Sequence, residues 1–202
     1  MARGLISISN QVYGRFSRDP TPPSGPPPWY ADAMTVRKVD ENSTAISVSN
    51  TTTETTIATM TLPALTLTST GAARLSATGT IQSSTTVGTF TVRVKMADGA
   101  STETVLATSG ISFSTSNSLR PWLLEAWVLG KQPNVNRAWG GIEIGAAGSG
   151  ASLLPSTYSA VGFSTMGLDE TDPWTISMTV QMSTASAALT MTREVSILEA
   201  IN

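Results

Sequence analysis

The sequence predicts an all-β protein, and three observations carry that prediction. The stretch Trp174-Thr175-Ile176-Ser177-Met178-Thr179-Val180-Gln181-Met182-Ser183 alternates apolar and polar residues without a break. Period-two alternation places Ile176, Met178, Val180 and Met182 on one face of an extended strand and the hydroxyls on the other. Serine and threonine fill 57 positions and charged residues make up only 13% of the chain, against about 25% in an average globular domain. Threonine is densest between residues 51 and 91, where its β-branch suits a pleated strand. Finally, no segment sustains a 3.6-residue apolar period, so at most one or two short helical turns are expected.

Taken in order, the chain divides into an appendage, residues 1–34, and a body, residues 35–202. The appendage contains the apolar stretch Leu5, Ile6 and Ile8, the cations Arg15 and Arg18, and the run Pro20-Thr21-Pro22-Pro23-Ser24-Gly25-Pro26-Pro27-Pro28-Trp29-Tyr30. Proline fixes φ and removes a donor, so this run is expected to be a stiff, extended spacer. The arm is expected to dock on a neighbouring chain, with Leu5, Ile6, Ile8, Val12, Tyr13, Phe16, Trp29 and Tyr30 as its interface anchors.

In the body, Ile46 and Val48 alternate with serine, and Ala58, Met60 and Leu62 end at Pro63. Leu75, Ala77 and Ile81 share a face. Phe90, Val92, Val94 and Met96 form the clearest internal strand, with Thr91, Arg93 and Lys95 opposite. Asp98-Gly99 signals a tight turn, returning through Val105 and Ala107. Ile111 and Phe113 suggest a short strand. Trp122 to Leu129 is apolar on both faces, so it is buried on both or meets another subunit; Trp122, Trp127 and Trp139 are the expected subunit-packing residues. Residues 130–173 are glycine-rich and expected to be loops. The chain closes on a hairpin-like pair, Trp174–Met182 with the Leu189, Met191, Val195, Ile197 strand. Roughly eight or more strands joined by turns and long loops predict a jelly-roll-like β-sandwich.

Composition removes several function classes. There is no cysteine and no histidine, which excludes disulfides, Cys or His metal ligands, thiol nucleophiles and Ser-His-Asp triads. The net charge is −2 with no long run of one sign, unlike the basic footprint of a nucleic-acid binder. No apolar run approaches the roughly 20 residues of a membrane span. Residues 1–14 lack the uninterrupted apolar core of a signal peptide, so Sec-dependent export is not expected. The acceptor patterns at Asn42-Ser43-Thr44 and Asn50-Thr51-Thr52 are then products of threonine richness.

The remaining chemistry is sparse. Asp169-Glu170-Thr171-Asp172 is the acidic cluster; oxygen-rich loops can hold calcium, but the spacing fits no EF-hand and a solvated loop is expected. Glu125 lies on an apolar strand and Glu143 in a glycine-framed segment. Glycoside hydrolysis needs two carboxylates about 5–10 Å apart in a groove, and nothing in the spacing pairs these two. The glycine-rich segments Gly140-Gly141 and Gly145 to Gly150 lack the lysine and the βαβ context of a phosphate loop. No cofactor or metal site is expected.

Four stretches carry a family likeness. They are Ser49-Asn50-Thr51-Thr52-Thr53-Glu54-Thr55-Thr56 leading into Met60-Thr61-Leu62-Pro63-Ala64, then Gly88-Thr89-Phe90-Thr91-Val92-Arg93-Val94-Lys95, Arg120-Pro121-Trp122, and Gln181-Met182-Ser183-Thr184-Ala185-Ser186-Ala187. Over roughly residues 42–199 the chain resembles the β-sandwich structural proteins of tailed bacteriophages, found in head decoration (cement) proteins and in tail-fibre or spike modules. The resemblance implies a non-enzymatic virion protein with a jelly-roll body, commonly a homotrimer, assembled in the host cytoplasm. In a decoration protein the N-terminal arm would bind the major capsid protein and the body would stabilise the shell. In the tail-fibre or receptor-binding alternative the arm would attach to tail proteins and exposed aromatics would bind a host glycan.

Overall fold

In the computed structural model the described residues are 36–64, 66, 71–86, 88–108, 110, 111, 116–132, 135–145, 158–169 and 171–201. The chain divides into two units, Met1–Met34 and Thr35–Asn202. The arm and all eight of its expected anchors, Leu5 through Tyr30, lie outside the described residues.

The described body is all β. Its strands are β1 (Val36–Asn42), β2 (Ile46–Ser49), β3 (Thr55–Leu62), β4 (Ala72–Ser83), β5 (Phe90–Ala97), β6 (Thr102–Ala107), β7 (Ser116–Gln132), β8 (Val135–Ile144), β9 (Tyr158–Met166), β10 (Trp174–Met182) and β11 (Leu189–Ile201). They form two antiparallel sheets. The larger has the order β1-β11-β4-β7-β8-β9, with β2 also pairing β11; the smaller has the order β3-β10-β5-β6. With β1 and β2 counted as one interrupted strand and β8 and β9 set aside as an added hairpin, the orders reduce to 1-8-3-6 and 2-7-4-5. That is the arrangement of a jelly roll, in which the chain passes between the two sheets in two Greek keys. The β8–β9 hairpin, inserted before the last two strands, widens the larger sheet.

Alternation explains each half of the sandwich. Along β5 and β10 the apolar side chains Phe90, Val92, Val94, Met96, Ile176, Met178, Val180 and Met182 are buried, and the register places Val94 opposite Met178 and Val92 opposite Val180. Leu75, Ala77 and Ile81 on β4 and Trp122, Leu124, Ala126 and Val128 on β7 supply the facing layer. Asp98-Gly99 turns β5 into β6 as the dipeptide signals, with Gly99 at φ 92°, a region open to glycine at little cost.

Two sequence expectations are corrected. Trp174–Met182 and the closing strand are not a hairpin: β10 pairs β3 and β5, whereas β11 pairs β1, β2 and β4. The turn between them, tied by Leu189 N to Ser186 O (3.1 Å) and Ser183 N to Thr89 O (3.0 Å), carries the chain from one sheet to the other. Residues 130–173 are not mainly loop, because β8 and β9 occupy much of the segment; Gly140 and Gly141 sit mid-strand opposite Ala126 and Glu125. Val36–Asn42, rich in charge, is an edge strand that apolar periodicity does not reveal, and charge is a common protection for an edge. Ile111 forms an isolated bridge to Phe90; Phe113 lies outside the described residues.

Candidate functional site

The outer face of the larger sheet carries an aromatic row built by strand register. Lys38 on β1 pairs with Glu199 on β11, Glu199 with Arg74 on β4, Arg74 with Trp127 on β7, Trp127 with Trp139 on β8, and Trp139 with Phe163 on β9. One transverse line thus crosses six strands. Arg74 Nε donates to Glu199 Oε2 at 2.8 Å. The Arg74 guanidinium lies 5.3 Å from the Trp127 ring centroid. Trp127 and Trp139 stack with centroids 5.9 Å apart and planes 7° from parallel.

This geometry decides what Trp127 can do. Arg74 and Trp139 stand on opposite sides of β7, so guanidinium and indole cover the two faces of the Trp127 ring. Sugar stacking requires an open ring face, and each face of Trp127 already has a neighbour. The row beside it is apolar: Val36, Ile201, Ala72 and Leu129 are in register, followed by Arg137. Val36 and Leu129 are two of the three exposed large apolar residues among those described, with Leu119 the third.

The opposite face of the sandwich differs. Thr59, Thr61, Thr175 and Ser177 cover β3 and β10 on that side, and Glu54 gathers Lys95 Nζ at 2.6 Å, Arg93 Nη1 at 3.4 Å and the Thr179 hydroxyl at 2.5 Å. The bond from Lys95, followed by that from Thr179, holds the Glu54 carboxyl below its ordinary value. A hydroxyl-covered face whose carboxylate is ion-paired is adapted to water.

The three tryptophans expected to pack against a subunit separate. Trp122 is fully buried inside the sandwich, and its Nε1 donates to the carbonyls of Thr80 (3.2 Å) and Thr192 (3.1 Å); it packs within its own subunit, which corrects that expectation. Trp127 and Trp139 are half-buried on the outer face. Trp174 is core, donating to Asp169 O at 2.6 Å. Trp29 lies outside the described residues.

The structure brings Glu125 and Glu143 to diagonal positions on β7 and β8, since Leu123 is opposite Glu143 and Glu125 opposite Gly141. Diagonal cross-strand neighbours are about 7–8 Å apart. Both sit on the outer sheet face, and Glu143 is exposed.

Asp169 and Asp172 flank a tightly bonded turn. Asp169 accepts the Thr171 amide (2.9 Å) and hydroxyl (2.8 Å), and among the described residues no three acidic, histidine or cysteine side chains converge as a metal site. The hub at this end is Asp98. It accepts the amides of Asp169 (2.9 Å), Ser101 (2.8 Å) and Ala100 (2.9 Å), clamping the β5–β6 turn to the segment before β10. Those amides, that of Asp169 first, pull its carboxyl from 3.8 to about 2. A depressed folded-state pKa contributes stability that is complete above the unfolded value and disappears as pH falls through the folded one. Asp98→Asn is therefore expected to unfold earlier in urea at pH 6 than the wild type. The gap should narrow between about pH 4 and 2, and a gap independent of pH would show that the carboxylate charge is not what holds the turn.

Arg74 and Glu199 were not identifiable as site residues in the sequence. Alternation alone places Arg74 opposite Leu75 on β4, but its two partners come from β7 and β11, and no sequence signal links them.

No protein-family model and no curated protein matches the chain. Among solved structures it is similar to that of the Gx strain of infectious bursal disease virus (11% identity, TM-score 0.34, covering 84% of this chain and 32% of that one). It is also similar to the VP2 subviral particle of the same virus (11%, 0.31, 84% and 33%) and to the Gt strain (11%, 0.30, 84% and 42%). The chain spans a third to two fifths of those chains' length, and none of the three is a tailed-phage protein. Among the described residues no helix is long and apolar enough to cross a membrane.

Proposed function

We propose that this chain is a non-enzymatic structural protein of a virus particle, a capsid decoration protein whose jelly-roll body reinforces the outside of the shell and whose residues 1–34 attach it. The observation that carries the reading is the jelly-roll strand order with its interior filled by its own side chains. That architecture serves viral capsid proteins, lectins and cupins. Fold alone does not choose among them, so the residues must. A cupin-type centre draws on histidine ligands, and this chain has none. A lectin platform needs open aromatic faces, and Trp127 has a guanidinium near one face and an indole stacked beside it. A structural module needs neither. It needs a rigid body and surfaces for neighbours, which the ion-paired aromatic row and the low-charge, hydroxyl-rich exterior supply.

The test is copy number per particle, from quantitative protein staining of purified virions against the major capsid protein. A value on the order of hundreds is expected, matching the repeated sites of an icosahedral shell. About three to a few tens would move the chain to the tail, as a fibre or receptor-binding component, and absence from the particle would end the virion reading.

A further inference from the structure

We infer that the free edge of β3 is a strand-pairing surface held shut by Asp40, and that the partner it would take is the same edge of a second copy of this chain. β3 is the outermost strand of the smaller sheet, bonded to β10 on one side. Its sequence, Thr55-Thr56-Ile57-Ala58-Thr59-Met60-Thr61-Leu62, is uncharged and rich in β-branched residues, and Pro63 comes only after its end. An outermost strand of that composition is a template for another like it. Antiparallel pairing turns the backbone groups of alternate residues away from the neighbouring strand. The Thr61 amide is one of these, since it donates to Asp40 Oδ2 at 3.0 Å, and Thr59 lies two residues before it on the same side.

Two side chains from the larger sheet close this edge. At the inner end the register on β10 skips Ile57, and the Ile57 carbonyl accepts the buried Arg193 Nε at 2.9 Å. At the outer end stands Asp40. The register of β1 on β11 shifts between Lys38 and Asp40, so Val39 is the extra residue of a bulge, and it packs against the core. A bulge re-aims the side chain beside it. Asp40 Oδ1 accepts the Glu41 amide at 2.8 Å, which fixes the carboxylate while Oδ2 takes Thr61. The bond to Thr61 is exposed and so are Thr59 and Thr61, so this end is open to a second molecule. Thr59 lies between the two caps, and one residue is too short a stretch for a strand to add. Without Asp40 the open stretch runs from Thr59 to Thr61, and each copy can exchange backbone bonds with the other at both threonines.

The test uses the full chain. In the wild type, amide hydrogen exchange is expected to be at least about tenfold slower at Thr61, which has an acceptor, than at Thr59. Equal exchange at the two would overturn the inference, since the edge would then be open at both or already paired at both. Sedimentation velocity across a concentration series compares the wild type with Asp40→Asn, Asp40→Ala and the double variant Asp40→Ala/Thr59→Lys. Asp40→Asn keeps an acceptor oxygen and is expected to match the wild type. Asp40→Ala is expected to self-associate at least about tenfold more tightly than the wild type. Thr59→Lys sets like charges at the centre of the paired edges and is expected to reverse that gain. Near-ultraviolet circular dichroism reports folding; should alanine prevent it, Asp40→Val, which lacks an acceptor and suits a strand, takes its place. A folded Asp40 variant without an acceptor that associates no more than the wild type, or association that Thr59→Lys leaves intact, would overturn the inference.

Discussion

Gly79→Ala is expected to destabilise the body by about 3 kcal/mol or more, or to prevent folding. Gly79 lies in the middle of β4, opposite Arg193 on β11 and Trp122 on β7. A β-carbon there would overlap the Thr192 carbonyl oxygen and come within 2.9 Å of the Trp122 ring. Neither can yield. Thr192 is backbone held in the β11 ladder immediately before the bulge between Arg193 and Val195, and its carbonyl accepts the Trp122 indole N–H. Trp122 is itself locked by core on its other sides. The comparison is Gly99→Ala. Gly99 also needs its glycine, at φ 92°, but a β-carbon there meets nothing within 4 Å, so only the left-handed strain of about 1–2 kcal/mol applies. Urea unfolding of both variants measures the difference; equal losses would mean that the strand relaxes around the added methyl.

Arg193→Ala is the second large effect, an expected loss of about 3–5 kcal/mol. Arg193 is fully buried beside the β11 bulge. Its Nε donates to Ile57 O at 2.9 Å on β3 of the smaller sheet, and its Nη1 to Asn42 O at 2.7 Å and Asn42 Oδ1 at 3.1 Å at the end of β1. The side chain therefore ties the two sheets and covers the break where β1 gives way to β2 along β11. No carboxylate pairs with it among the described residues, and burial pulls its guanidinium below the ordinary arginine value. Removing it leaves two buried carbonyls without donors and a cavity the length of the side chain. Arg193→Lys keeps the charge but cannot span Ile57 and Asn42 with one ammonium as the planar fork does, so an intermediate loss of about 1–3 kcal/mol is expected. Thermal unfolding of the three proteins gives the order. A lysine variant as stable as the wild type would reduce the role of Arg193 to its charge.

Both effects arise at positions that sequence patterning misreads. Arg193 stands between Met191 and Val195 on the apolar phase of an alternating strand, where its charge alone would favour solvent. It instead points inward on the phase of Leu189 and Met191, and the bulge that follows it sets Val195 and Ile197 on the half-buried side and Ser196 and Leu198 on the buried one. A one-residue slip of register reverses which side chains face the core, and nothing in Thr192-Arg193-Glu194-Val195 announces it. Gly79 is equally silent: in a threonine-rich strand it suggests weakness, whereas the close approach of the Thr192 carbonyl requires it.

What the sequence determined by itself is the all-β class, the inward phase of β4, β5 and β10, the turn at Asp98-Gly99, and the absence of histidine and cysteine chemistry. Each is local, set by a side-chain period of two, by glycine at a positive φ, or by composition. Tertiary structure decided which strand lies beside which. It separated β10 from β11 into different sheets, drew the glycine-rich segment into β8, buried Trp122 while leaving Trp127 and Trp139 at the surface, and lined Lys38, Glu199, Arg74, Trp127 and Trp139 across strands distant in the chain. Alternation tells a strand which face is apolar but carries no information about its neighbour. In a jelly roll most neighbours are long-range, so the aromatic row exists only once the sheet is assembled.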